Sequence, residues 1–421
     1  MTNDIKLIQL LRDEMVLALG CTEPIAIAYA AALAAKHLGH LPDRIIAECS
    51  GNMIKNVKSV IVPNSDGMKG IDTACLVGAF YGDADKKLEV LSQVTKEQAK
   101  QCRKLRETIP CEIKLLESPH TLHILISTFY GDNKVSVEIQ DSHTNVVKIS
   151  KDGEILQSKN SETLTEHPTN LLENITIKDI INFSRFCDYS PLIDLLELEI
   201  ECNSRIANEG INNNYGANVG KIILNTSNGD LKNRAKAFAA AGSDARMSGC
   251  DLPVMINSGS GNQGLTVSLP IIVYADQLKT SQSQLYRALI LSNLIALYEK
   301  SYIGKLSAYC GVVCAASGSA AGITFLMNGN DEQIENAVIN TLGTLSGMVC
   351  DGAKASCAAK IAASVDAAIT SHEMAMLNNA LHDGDGIVKQ GLDKTVKAVG
   401  KLANHGMRIT DKEILNIMLE K

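Results

Sequence analysis

Apolar positions recur at helical spacing over residues 4–40, with one break at Leu19-Gly-Cys-Thr-Glu-Pro-Ile25. The run after the break, IAIAYAAALAAKHLGH, is apolar almost all round and predicts a buried helix ending near Gly39. From about Arg44 to Gln157 the pattern changes. RIIAECS, VKSVIVP, CEIKLLE, TLHILISTF, KVSVEIQ and NVVKISK alternate or cluster β-branched residues, and turns such as Tyr-Gly-Asp-Asn and Lys-Asp-Gly-Glu separate them. One helix, roughly 86–107, interrupts these strands. A polar stretch opening at Ser158 predicts a linker over 158–175, and helical periodicity dominates from Thr176 onward. Four polar breaks punctuate that last part: NNNYGANVG, AGSDARMSGCD, NSGSGNQGLT and GMVCDGAKASC.

The pattern predicts an α+β protein. Residues 1–42 are expected to pack with 176–421 as one large helical domain, because the two parts share an alanine-rich composition. Residues 43–157 then form a smaller inserted α+β sheet domain. A chain of 421 residues is long enough for such a division. Its net charge of -7, without a tract of like charges, excludes a nucleic-acid backbone as the natural partner. No apolar run reaches membrane-spanning length without interruption. The start, MTNDIKLIQLLRDEM, reads as an amphipathic helix and not a signal peptide, so a soluble cytoplasmic protein is expected, with room for a homodimer.

Twelve cysteines change the picture most. In a reducing compartment they are thiols, and most fit as small buried hydrophobes. Five stand in more telling contexts: Cys21 in GCTEP, Cys310 and Cys314 in SAYCGVVCAASG, and Cys350 and Cys357 in GMVCDGAKASC. Zinc knuckles would need C-x2-C spacing or neighbouring histidines, and neither is present. Thiolates of an iron–sulfur cluster can converge from separate helices, so Cys310, Cys350 and Cys357 fit either such a cluster or plain core packing. Cys21 precedes a helix whose N-terminal dipole would stabilise a thiolate, suiting a base; a capping turn led by Thr22 and Glu23 reads equally well.

Polar loops supply binding groups. Ser50-Gly-Asn-Met-Ile-Lys-Asn56 reads locally as an ordinary solvated turn after a strand, or else offers Asn52 and Lys55 to a ligand. The loop Asn257–Gly264, with Asn257, Ser258, Gly259, Ser260, Gly261 and Asn262, would present free backbone N–H groups to an anion such as a carboxylate or form a plain surface loop, and lacks the Gly-Lys-Ser/Thr ending of a nucleotide loop. Arg246 in GSDARMSG could hold a carboxylate in bidentate fashion or pair with Asp244 to close a loop. Asp351 and Lys354 are placed to pair with each other.

Taken together, GCTEP, SGNMIKN, GSDARMSG, NSGSGNQG, LSAYC and GMVCDGAKASCAAK resemble the L-cysteine desulfidase family over almost the whole chain. The last third is more distantly similar to the α-chain of iron–sulfur L-serine dehydratases, with a shorter final cysteine spacing. The resemblance implies a [4Fe–4S] cluster on Cys310, Cys350 and Cys357, with one iron open. It gives Cys21 a proton-acceptor role, with a fourth-ligand role as the alternative, and leaves Cys314 to the core. The implied reaction takes L-cysteine and water to pyruvate, ammonia and sulfide without pyridoxal phosphate. A pyridoxal-phosphate eliminase using Lys55 or Lys354, an L-serine dehydratase and a non-catalytic amino-acid sensor are the rival readings.

Overall fold

The computed structural model describes residues 3–159, 171–304 and 306–420; most of the expected linker, 160–170, lies outside the described residues. Two hydrophobic cores organise the chain. Helix α1 (Asn3–Glu14) buries Leu7, Leu10 and Leu11, a stripe at i, i+3 and i+4. A three-residue strand β1 (Leu17–Leu19) leads into α2 (Thr22–Leu38), which Gly39 ends in the left-handed conformation. Then follow β2 (Arg44–Cys49), α3 (Gly51–Val57), α4 (Ile71–Tyr81), α5 (Lys96–Thr108), β3 (Cys111–Leu115), β4 (His123–Tyr130), β5 (Asn133–Gln140), β6 (Val146–Lys151) and β7 (Glu154–Ser158).

These strands form one sheet in the order β3-β2-β4-β5-β6-β7, parallel only between β2 and β3. Ile45, Ala47 and Cys49 alternate inward along β2, as a half-buried strand requires. Helix α2 lies against β4 and β5, α4 lies against β2 and β3, and the two helices pack on each other.

The second core is helical. It comprises α6 (Ile177–Phe186), α7 (Ile193–Asn212), α8 (Val219–Thr226), α9 (Leu231–Met247), the strand β8 (Pro253–Met255), α10 (Gly261–Leu278), α11 (Gln282–Ile303), α12 (Gly311–Leu326), α13 (Asp331–Leu345), α14 (Ser356–Met376) and α15 (Leu392–Lys401), while α16 (Arg408–Leu419) buries no residue and lies against α3. The protein is thus α+β, with a large helical body and a smaller sheet unit.

Four local expectations need correction. Of the two N-terminal helices, α1 packs in the helical core, whereas α2 belongs to the sheet core. A helix apolar all round needs cover on every side, and α4 with the sheet provides it. VKSVIVP is not a strand: its start closes α3, and Ile61 makes only an isolated bridge to Lys69. The helix expected over 86–107 is a 3-10 turn (Ala84–Glu89) followed by α5, which restarts at a capping box between Thr95 and Gln98. AGSDARM is not a break; it forms the last turns of α9, and Gly242 lies within the helix.

The α2–α4 crossing depends on Gly78. A Cβ there would stand 2.2 Å from the carbonyl oxygen of Ala28, and a backbone atom cannot rotate away. Gly78→Ala should therefore destabilise the protein by about 2–3 kcal/mol, read as a lower urea midpoint at unchanged slope.

Candidate active site

Two short backbone pairings assemble the site. Strand β1 pairs antiparallel with β8, Leu17 opposite Met255 and Leu19 opposite Pro253. This ribbon sets the GCTEP turn beside the loop at 257–260, and the Thr22 hydroxyl donates to the Gly259 carbonyl at 2.8 Å. Farther along, Tyr309 bridges Val349. The Cys310 N–H donates to the Met348 carbonyl (3.0 Å) and the Cys350 N–H to that of Ala308 (2.7 Å), so the two cysteines become neighbours. Lys354 pairs with Asp351 as expected (2.7 Å), Lys360 joins the same carboxylate, and Lys360 Nζ also donates to the Val349 carbonyl at 2.8 Å.

Between the two cores lies a cleft of about 640 Å³, its open mouth included. Cys21, Cys310, Cys350 and Cys357 all line it, and Cys314 does not. Cys21 and Cys310 are the N-cap residues of α2 and α12, and Cys357 sits in the first turn of α14. Helix dipoles favour thiolates at these places, yet burial wins. Burial, with the Cys350 sulfur next in importance, pushes the Cys310 thiol up to about 12, and burial also raises Cys357.

Cys21 departs from the expected activated thiolate in the same way. Burial and then the Glu23 carboxylate raise its pKa well above the ordinary range, against the opposing pull of Arg246. Its S–H donates to Glu23 Oε2 at 3.1 Å. Glu23 also receives the Asn56 side-chain amide at 3.1 Å. Burial alone would raise Glu23, but the charge of His143, the Cys21 hydrogen bond and Arg246 bring its pKa below the usual value. The proton of the pair therefore rests on sulfur while only protein groups surround it.

Arg246 is buried and lines the cleft, with no hydrogen-bond partner for its Nε. No ion pair joins it to Asp244, whose carboxylate instead accepts the Gly220 N–H at 3.0 Å and is raised to about 6 by burial. The guanidinium lies against Gly261, where a Cβ would stand 2.3 Å from Nε. A cation is thus packed on the positive end of α10, where the Glu23 carboxylate offsets part of the charge and a bound anion would offset more.

The remaining expected residues divide. Ser260 and Asn262 line the cleft, and Gly261 meets Arg246. Asn257, Ser258 and Gly259 do not line it; the Asn257 amide donates to Asn293 Oδ1 at 2.9 Å, and Asn293 in turn donates to Glu199. Asn52 and Lys55 line a different, solvent-open pocket between the sheet unit and α16. Lys55 is buried there in an ion pair with Asp411, so its ammonium is not turned to the cysteines. Asn56, one residue on and therefore 100° around α3, is the part of SGNMIKN that reaches the cleft. Sequence reasoning also missed Lys300 and Tyr309 on its wall, and His143, which packs against Gly259; Gln263 was read only for the backbone of its loop, whereas its side chain lines the cleft.

Among the described residues, no three His, Cys, Asp or Glu side chains stand close enough to hold a single metal ion. An iron–sulfur cubane places each thiolate on its own iron, so thiols spread around one cleft fit a cluster and not a mononuclear ion. The donor set, three cysteines beside small wall residues Gly311, Gly352 and Ala353, fits such a group.

The family model described as serine dehydratase alpha chain matches residues 85–416. The chain belongs to this family. Similar full-length relatives carry the name UPF0597 protein: one from Lachnoclostridium phytofermentans is 49% identical, over 98% of this chain and 99% of its own. Those of Desulfitobacterium hafniense (47% identical, 98% and 96% covered) and Treponema denticola (46%, 99% and 98%) are close behind. Membership in the serine dehydratase alpha-chain family makes the chain a serine dehydratase-like protein and points to lyase chemistry. The family match covers Cys310, Cys350 and Cys357 and starts after GCTEP and SGNMIKN; the UPF0597 relatives extend over those as well. No helix among the described residues is long and apolar enough to cross a membrane.

Glu199, at the end of the Asn257–Asn293 chain, is fully buried, and burial raises it to about 8. A carboxyl raised on folding keeps its proton in the native state while the unfolded chain loses it, so stability falls as pH rises from about 4.5 to 8. Glu199 should cost about 2–3 kcal/mol between pH 6 and pH 8. Urea midpoints at the two pH values should show that loss shrinking by this amount in Glu199→Gln.

Proposed function

We propose that the protein is an iron–sulfur lyase that eliminates sulfide from L-cysteine, yielding pyruvate, ammonia and hydrogen sulfide. The observation that carries this reading is the convergence of Cys310, Cys350 and Cys357 in one cleft with Cys21 and with Arg246, whose Nε has no hydrogen-bond partner. A [4Fe–4S] cluster on the three cysteines would supply a Lewis-acid iron for the leaving sulfur.

The chain's own groups do the rest. Arg246 and the N-terminus of α10 receive the α-carboxylate. Cys21 accepts the Cα proton once it is a thiolate; a cation brought beside the sulfur favours that form, and Glu23 Oε2, 3.1 Å away, takes the thiol proton. The Cα–H electron pair forms the Cα=Cβ bond as the Cβ–S bond breaks, and the sulfur leaves as sulfide. The aminoacrylate product adds water to give pyruvate and ammonia.

Anaerobically reconstituted protein should release sulfide and pyruvate in equal amounts from L-cysteine. The serine dehydratase family match favours the same elimination from L-serine as the second reading. Pyruvate from L-serine with a larger kcat/KM than from L-cysteine would assign the protein to dehydration, and no pyruvate from either would end both readings.

A further inference from the structure

Three buried oxygen atoms of the cleft have no role in the chemistry above. Asn56, Asn262 and Gln263 line it and are 5%, 7% and 4% exposed. Asn56 Oδ1, Asn262 Oδ1 and Gln263 Oε1 each lack a hydrogen-bond partner. Leaving one buried carbonyl unsatisfied is costly; three at one cleft call for a ligand that donates.

The orientation of two amides follows from what their nitrogens do. Asn56 Nδ2 donates to Glu23 Oε1 at 3.1 Å, and Asn262 Nδ2 points to Met247 Sδ at 3.6 Å. Flipping Asn56 would set its oxygen against the Glu23 carboxylate, so its oxygen is the end left for a ligand. Gln263 is confined by the backbone of α12: a Cβ on Gly311 would fall 2.7–2.8 Å from its amide atoms. The Asn56 acceptor is therefore held in place before anything binds, and the Gln263 amide is packed against the cleft wall.

We infer that Asn56, Asn262 and Gln263 form the seat for the α-ammonium of the ligand, with Arg246 taking its α-carboxylate. A primary ammonium carries three N–H donors, one for each oxygen. A carboxylate placed on these oxygens would meet only acceptors and the nearby charge of Glu23. The ligand class is then a free α-amino acid; N-acylated and desamino acids lack the donors and leave the oxygens unpaired. The inference rests on the proposed function for the identity of this cleft as the substrate site, and needs neither turnover nor iron chemistry to be tested.

L-Alanine is the suitable probe, having both charged ends and no leaving group. Calorimetric titration of the reconstituted protein should give binding of L-alanine about 10- to 100-fold tighter than propionate or N-acetyl-L-alanine. Gln263→Met keeps the length of the side chain without the acceptor. It should weaken L-alanine about 10-fold and leave propionate unchanged, whereas a merely structural role would weaken both. If that variant does not fold, the wild-type ligand series still decides. L-Alanine binding no tighter than propionate overturns the seat, even where sulfide release from L-cysteine stands. Tight, ammonium-dependent L-alanine binding in a protein that turns over neither L-cysteine nor L-serine would keep the seat and remove the lyase.

Discussion

Anaerobically reconstituted Cys310→Ala and Cys350→Ala proteins should lose the brown colour and most of their iron, and sulfide release should fall by about 10³-fold. The loss corresponds to several kcal/mol of Lewis-acid stabilisation. Cys310 and Cys350 are joined through the Tyr309–Val349 bridge, so both thiols are presented by one rigid piece of backbone. Cys314 is the internal control. It is fully buried one turn along α12 and does not line the cleft, so Cys314→Ala should keep its iron. Cys357 tests the shortened spacing. Its thiol faces the Gly352 carbonyl at 3.6 Å and lines the same cleft, and Cys357→Ala should also lose iron. If all three variants hold as much iron and acid-labile sulfide as the wild type, the ligand assignment is wrong.

The second large effect is expected at Cys21. Cys21→Ala should keep its iron and visible spectrum while kcat drops by about 10²- to 10⁴-fold, the usual worth of a positioned base. Loss of iron along with activity would make Cys21 a fourth ligand instead. The pH profile adds an independent signature. Burial and Glu23 raise the Cys21 pKa, so kcat should climb toward alkaline pH as the thiolate becomes populated. The residual activity of Cys21→Ala should lose that climb. Glu23→Gln removes the carboxylate that both repels the thiolate and receives its proton. The variant should show its climb at lower pH, with a smaller maximum.

Much of the site was readable because its chemistry sits in compact runs. GCTEP, NSGSGN and the two cysteine segments are each a few residues long, and each delivers at least one group to the cleft. Destination was harder to read than identity. The alanine-rich composition of α2 says that it is buried, but a helix apolar on every face does not say against what, and it went to the sheet. In SGNMIKN, Lys55 is the more reactive side chain. The turn of α3 nevertheless gives it to Asp411 and offers the quieter Asn56 to the cleft. The side chain of Gln263 had no signal beyond its polar loop, and His143 had none at all. Their places depend on α12 crossing the start of α10 and on the β5–β6 turn meeting Gly259, contacts between segments far apart in the chain.

The same long-range pairings impose an order on biosynthesis. Cys21 is made among the first residues and Cys357 among the last hundred, while the β1–β8 ribbon needs Met255 before GCTEP can take its position. A nascent chain therefore carries its thiols separately through most of translation. The binding cleft exists only when the peptide is nearly complete, so a cluster on the three proposed ligands would have to enter after synthesis of α14. A chain stopped after Leu345 has just Cys21 and Cys310 of the four cleft thiols, and pulse-labelled material of that length should take up no cluster iron.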